Sequence, residues 1–184
     1  MFKLTEFMVN DLAIQLVLPE VSQAEAIYQQ VADSRASLAR FLPWAKSMSS
    51  VQDEAEFIKM TRTKTANYEM LELVITVAGQ PAGMLDLHQV DWTNESAEIG
   101  YWLGESYRGK GIMTESVRQL VAIAFNELGL HRLNLLADHK NTTSRAVAQR
   151  LNFTHVALLR DEFKHDNQFH DMDLYTIINE IKND

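Results

Sequence analysis

The stretch Tyr107-Arg108-Gly109-Lys110-Gly111-Ile112-Met113-Thr114 decides the fold of this chain. Ahead of it, Ala97-Glu98-Ile99-Gly100-Tyr101-Trp102-Leu103 alternates at period two, as a strand does. Behind it, Met113, Val117, Leu120, Val121, Ala124 and Leu128 lay an apolar stripe along one face of a helix that ends at Gly129. Two glycines in a strand-to-helix turn let main-chain N–H groups close on an anion, and the helix N-terminus adds unsatisfied donors and a partial positive charge. A phosphate is expected there. A bare Gly-Lys-Gly would be no more than a tight turn with solvated basic residues; the flanking strand and helix favour the anion site.

Working outward, the first third holds a short strand, Leu12 to Leu18, and a helix after Pro19 in which Val21, Ala24, Ile27, Tyr28 and Val31 recur at helical spacing. A second helix follows the Phe41-Leu42-Pro43-Trp44 corner, capped near Ser49, Ser50 or Asp53. Leu71 to Ala78 and Ala82 to Val90 read as a hairpin around Gly79-Gln80-Pro81, and Asp91 to Glu95 as the turn into the Ala97 to Leu103 strand. Beyond the long helix come a strand, Arg132 to Ala137, a helix from about Thr143 to Leu151, and two strands, Phe153 to Leu159 and Phe169 to Ile178, joined by Lys164-His165-Asp166-Asn167. The expected fold is mixed α/β: neighbouring antiparallel strands with one strand–helix–strand crossover in the middle, in one domain over residues 1–184.

Composition narrows the function classes. The 184 residues carry 17 Lys+Arg against 25 Asp+Glu, a net charge of −8, which disfavours general binding to nucleic acid. The charge is uneven: between Glu105 and His165 nine basic residues face six acidic ones, so this segment suits a small polyanion while the acidic remainder suits a cation. With no cysteine there is no thiol nucleophile, disulfide or thiolate metal site, which fits a reducing, cytoplasmic compartment. No apolar run reaches the length of a bilayer span, and Met1 to Asn10 lacks a secretory pattern, so a soluble chain without membrane contact is expected. His88, His131, His139, His155, His165 and His170 show no metal-binding spacing, so no metal is expected and they read as solvated or structurally satisfied.

Two phosphate-binding patterns fit poorly. Gly104 to Gly111 nearly matches the loop of nucleotide triphosphatases, with Asp138 as an acidic partner, but Gly111 stands where a magnesium-binding hydroxyl belongs. Gly109-x-Gly111-x-x-Thr114 lacks the third glycine of the dinucleotide fingerprint.

The stretch Arg108 to Met113 instead resembles the Arg/Gln-x-x-Gly-x-Gly/Ala signature of the GNAT superfamily of acetyl-CoA-dependent N-acetyltransferases, although Met113 replaces the last small residue. Together with Tyr-Arg-Gly-Lys-Gly-Ile-Met-Thr-Glu as a block and the upstream Leu42-Pro43-Trp44, it is similar to the RimJ/RimL-type ribosomal-protein N-acetyltransferases. Asn141-Thr142-Thr143-Ser144, leading to Leu151-Asn152-Phe153, resembles the family's second block, with Asn152 in place of a glycine at the helix end.

The resemblance implies a GNAT fold, a central, mostly antiparallel, splayed sheet flanked by helices. It implies acetyl-CoA as co-substrate, its pyrophosphate cradled by Arg108, Gly109, Lys110, Gly111, Met113 and Thr114, and its pantetheine arm held by Tyr101, Leu103 and Asn141. Asn141 reads equally well as a helix N-cap. Ala148 stands where many relatives carry a tyrosine that protonates the departing thiolate; in the ribosomal subgroup Ser144 is the candidate instead. On residues alone Ser144 is a first-turn serine, as often a cap.

Glu98 shares a strand face with Trp102, a setting that suits a carboxylate to take a proton from an ammonium, directly or through a water; the plain alternative is a solvated acid, and the resemblance favours catalysis. Trp44 is expected to line the acceptor pocket or to pack in the core. The implied acceptor is a protein N-terminal α-amine, ribosomal by resemblance. Polyamines, amino sugars and free amino acids remain open, as does a coenzyme-binding module without turnover. Exposed edge strands and the habits of relatives make a homodimer plausible.

Overall fold

Residues 2–180 are described by the computed structural model; Met1 and residues 181–184 lie outside the described part. The chain opens with a hairpin, β1 (Lys3–Val9) and β2 (Leu12–Val17), turned by Asn10 and Asp11, both at positive φ. β1 was not expected: its residues carry no clean alternation, because one sheet edge leaves both of its faces partly wet. Helix α1 (Ala24–Leu38) follows, then a single turn, α2 (Trp44–Ser47), and α3 (Val51–Ala66). Ser50 caps α3 by accepting from Asp53 N while the Asp53 carboxylate accepts from Ser50 N, the reciprocal arrangement that fixes a helix start.

Next come β3 (Leu71–Val77), β4 (Gln80–Asp91) and β5 (Ser96–Leu103). The β3–β4 turn is Ala78-Gly79, at φ 48° and 80°, and not Gly79-Gln80-Pro81; Pro81 sits inside β4, where the register shifts. Helix α4 (Ile112–Asn126) crosses to β6 (Arg132–Asp138), then α5 (Thr142–Arg150) leads into the long hairpin β7 (Thr154–His165) and β8 (Gln168–Ile178). Its turn is Asp166-Asn167, and Asn152 closes α5 at φ 59°, the left-handed geometry its amide side chain tolerates.

Among the described residues eight strands form one sheet, in the order β1-β2-β3-β4-β5-β6-β8-β7. Every pairing is antiparallel except β5 with β6, joined through α4. That parallel pairing covers only Ser96, Ala97 and Glu98 against Arg132, Leu133 and Asn134. From Ile99 onward β5 has no strand beside it on that side, so the sheet splays open.

Period two then sorts the core. On one face Ile99 and Leu103 of β5 pack with Leu85, Leu87, Leu133, Leu135 and the α4 stripe of Ile112, Met113, Val117, Leu120 and Ala124. On the other, Trp102, Met84, Val74 and Val17 meet α1 and α3 through Ile27, Val31 and Ile58. Each buried aliphatic side chain contributes about 1.5–3 kcal/mol, so both layers fix β5, and with it the opening, firmly. No helix among the described residues is long and apolar enough to cross a membrane.

Candidate active site

The opening between β5 and β6 faces the glycine loop. Gly109 and Gly111 have φ 75° and 82°, and Gly111 is the N-cap of α4. A glycine cap has no side chain to satisfy the first turn, whose intrahelical bonding begins with Glu115 N to Gly111 O at 3.1 Å. The N–H groups of Ile112, Met113 and Thr114 therefore point out of the helix end unbonded to it. Nothing stands within 4 Å of a Cβ built on Gly109, so the loop surface is open.

The two basic side chains of the loop are tied to protein. Arg108 Nε donates to Leu103 O at 2.9 Å and Nη1 to Ser37 Oγ at 3.0 Å; Lys110 Nζ donates to Ser106 O at 2.8 Å and lies over the Tyr107 ring. Met113 is buried in the core, so only its main chain can face a ligand. The loop thus offers main-chain N–H groups, backed by two nearby cations, which fits a diphosphate.

Asn141 caps α5: its Oδ1 accepts from Ser144 N at 3.2 Å and from Thr143 Oγ1 at 2.8 Å. Ser144 Oγ lies 2.9 Å from the phenolic oxygen of Tyr101. Tyr101, expected to lend main-chain groups to a ligand, thus also brings its side chain across from β5 to α5, and burial pushes the phenol up to about 12. Ala148, on the buried side of the same helix, is fully enclosed, leaving no room for a large side chain without repacking. Arg145 anchors the start of α5, with Nε 2.8 Å from Asp173 Oδ2 on β8. Asp173 is buried, and burial alone would raise its pKa; bonds from His139 at 2.9 Å and His155 at 2.7 Å, with the Arg145 charge, hold it below the ordinary value.

On the opposite face, Glu98 and Trp102 stand four residues apart with Gly100 between them, as the alternation requires, and Trp44 meets Trp102 edge-on at 5.9 Å between ring centroids. Glu98 has company that the sequence did not disclose. His88, directly across on β4, places Nε2 3.3 Å from Glu98 Oε1 and Nδ1 2.6 Å from Asp86 Oδ1. His88 is thus structurally satisfied, as expected, by bridging two carboxylates, and its bonds to Asp86 first and Glu98 second push its pKa up to about 10. Gly100 makes this possible, because a Cβ there would sit 2.5 Å from Asp86 Oδ2.

Behind this trio the acids continue inward. Glu72 lies across from Asp86 on β3, and burial, with the charges of Asp86 and Glu54, holds it protonated well above the usual carboxylate range. Glu54 of α3 is buried and pushed up to about 7 by that burial, with Oε1 unpartnered. His165 meets Ala39 O at 3.0 Å and His170 meets Asp138 Oδ2 at 2.6 Å.

A splayed sheet, a glycine loop opening a crossover helix, and an acid at the last paired position before the opening stand together in this part of the fold. The chain belongs to the GNAT acetyltransferase family, whose acetyltransferase domain model matches residues 14–154. YdaF of Bacillus subtilis (strain 168), named provisionally as a ribosomal N-acetyltransferase, is 32% identical over 90% of this chain and 91% of its own length. The ribosomal-protein-serine acetyltransferase of Escherichia coli (strain K12) is 25% identical over 85% and 88%. Among solved structures, RimL, a ribosomal L7/L12 alpha-N-protein acetyltransferase in complex with coenzyme A, superposes with a TM-score of 0.88 at 25% identity, covering 95% of this chain and 98% of that one. The microcin C7 self-immunity acetyltransferase MccE, in complex with acetyl-CoA and AMP, superposes at 0.86 with 26% identity, covering 90% and 92%.

Proposed function

We propose that this chain transfers an acetyl group from acetyl-CoA to the N-terminal α-amine of a protein, a ribosomal protein by relationship, by direct attack while both substrates are bound. The observation that carries the reading is the split between β5 and β6, with the glycine loop at one end and Glu98 at its edge. When bound, acetyl-CoA supplies a thioester carbon activated for attack by nitrogen.

The loop N–H groups from Gly109 to Thr114 hold the diphosphate, while Arg108 and Lys110 brace the loop and add positive field. Main-chain groups of Tyr101 and Leu103, with Asn141, line the arm of the carrier, and a free N–H of β5 stabilises the oxyanion. An α-amine with a pKa near 8 arrives largely protonated at neutral pH, so a base is needed. Glu98 takes that proton. His88, fixed by Asp86, holds one Glu98 oxygen and leaves the other for the amine. Trp44 and Trp102 form the apolar wall beside it. Ser144 gives its proton to sulfur as the carbon–sulfur bond breaks with its electron pair on sulfur, and regains one from water. Of the two protons the nitrogen sheds, one is thus balanced on sulfur and one reaches solvent.

The test is release of free coenzyme A on offering purified protein a peptide with the free N-terminus of a ribosomal protein, the same peptide N-terminally blocked, and spermidine. Turnover with the free peptide alone supports the reading; turnover with spermidine alone assigns a small polyamine acceptor; turnover with none supports a binding module. Mass spectrometry locates the acetyl group.

A further inference from the structure

Ser144 is the third residue of α5, and its N–H is already spent on the Asn141 cap. A helical serine commonly turns its hydroxyl back on the carbonyl one turn earlier. Here the hydroxyl is engaged elsewhere: Tyr101 Oη lies 2.9 Å from Ser144 Oγ and 3.1 Å from Ser144 O. The phenol therefore has two acceptors on one residue and a single hydrogen to give them.

Two hydrogen arrangements follow. If Tyr101 donates to the Ser144 carbonyl, the serine hydrogen turns inward to the phenolic oxygen, and Ser144 has nothing to offer outward. If Tyr101 donates to Ser144 Oγ, the serine hydrogen is free to point into the opening. Only two hydroxyl rotations separate them, since the heavy atoms already stand in place. Negative charge growing on a leaving sulfur favours the second, and a bond donated into Oγ strengthens the bond Oγ gives onward. Tyr101 lies on β5 and Ser144 on α5, one helical turn before Ala148, where the resemblance would have placed the family's tyrosine.

We propose that Tyr101 is a positioning residue for Ser144: its hydroxyl aims the serine hydrogen at the departing sulfur and supports the oxygen left behind. The inference rests on the reading of Ser144 given above. Tyr101 keeps its own proton throughout, as its burial requires. Carbon–sulfur cleavage leaves the electron pair on sulfur, the Ser144 proton neutralises it, and water restores Ser144.

The experiment is a double-mutant cycle with Tyr101→Phe and Ser144→Ala, read as kcat, KM for acetyl-CoA, acetyl-CoA affinity and melting temperature. Tyr101→Phe is expected to lower kcat about tenfold, the size of one lost hydrogen bond, with KM and affinity unchanged. In the Ser144→Ala background the same change should cost nothing further. Equal losses in both backgrounds would show that Tyr101 acts independently of Ser144 and overturn the proposal. Full activity of Tyr101→Phe beside a slow Ser144→Ala would overturn it as well. A fully active Ser144→Ala removes the role of Ser144 and this inference with it, while the acetyl transfer itself stands or falls separately on the coenzyme-release assay.

Discussion

The two faces of β5 are built on different terms. Toward α4 and α5 lies a continuous apolar layer in which the proposed chemistry is mostly main-chain: N–H groups of the glycine loop and the unpaired edge of the strand. Toward α1 and α3 the apolar layer is smaller and interrupted by Glu54, Glu72, Asp86, His88 and Glu98, so the proposed chemistry there is carried by side chains. A site made of backbone needs a local shape, and contiguous residues supply it. A site made of side chains needs register, and four separate elements must agree to supply it.

The sharpest way to break this division is to damage one face at a time. Glu98→Gln should cut kcat by about 100-fold or more while acetyl-CoA affinity stays within twofold, measured by coenzyme release and calorimetry. Gly111→Ala should do the reverse. Forcing a side chain onto a residue at φ 82° should weaken acetyl-CoA about tenfold with little change in kcat at saturation. If either substitution moved both quantities alike, the two faces would not be separable.

A smaller effect tests how the acid face is assembled. Gly100→Ala places a carbon against Asp86 Oδ2 and should push that carboxylate off His88. The His88 pKa, followed by NMR, should fall from about 10 toward its ordinary 6.5. A histidine held above its unfolded value adds stability that is complete below pH 6.5 and disappears as pH climbs through 10. The melting-temperature gap between wild type and His88→Gln should therefore be widest near pH 6 and close toward pH 10. Because the imidazole is about a third exposed, solvent screening keeps the gap modest.

Glu54 sharpens the comparison from inside the layer. Its carboxyl keeps a proton in the folded state up to about pH 7, against 4.5 when unfolded, so wild-type stability falls as pH rises from 4.5 to 7 and then levels. Glu54→Gln should remove that decline and be more stable than wild type by about 1–3 kcal/mol at pH 8, with the advantage shrinking toward pH 4. Denaturant melts at the two pH values measure it.

The same contrast explains what could be read in the sequence. The glycine loop, the α4 stripe, Glu98 and the second block around Asn141 and Ser144 all announce themselves within a few residues of one another. Asp86 and His88 do not. Pairing outward from Asp91 with Ser96 without interruption sets His88 opposite Ile99, on the wrong face. A single-residue shift between His88 and Asp91, with Gln89 at φ 49°, moves His88 opposite Glu98. An Asp-x-His pattern on a strand that enters a hairpin was visible; the bulge that gives it meaning was not. Tyr101 and Ser144 were each singled out, but their contact joins residues 43 apart in sequence, across the crossover, and no local pattern encodes it.

Three paired residues are a slender seam for a sheet of eight strands. A guest lying along the gap would act as a stitch, tying five strands on one side to three on the other. Occupancy should then be felt as mechanical cohesion: the halves should melt as one body, and amides lining both lips of the seam should slow their exchange with water together.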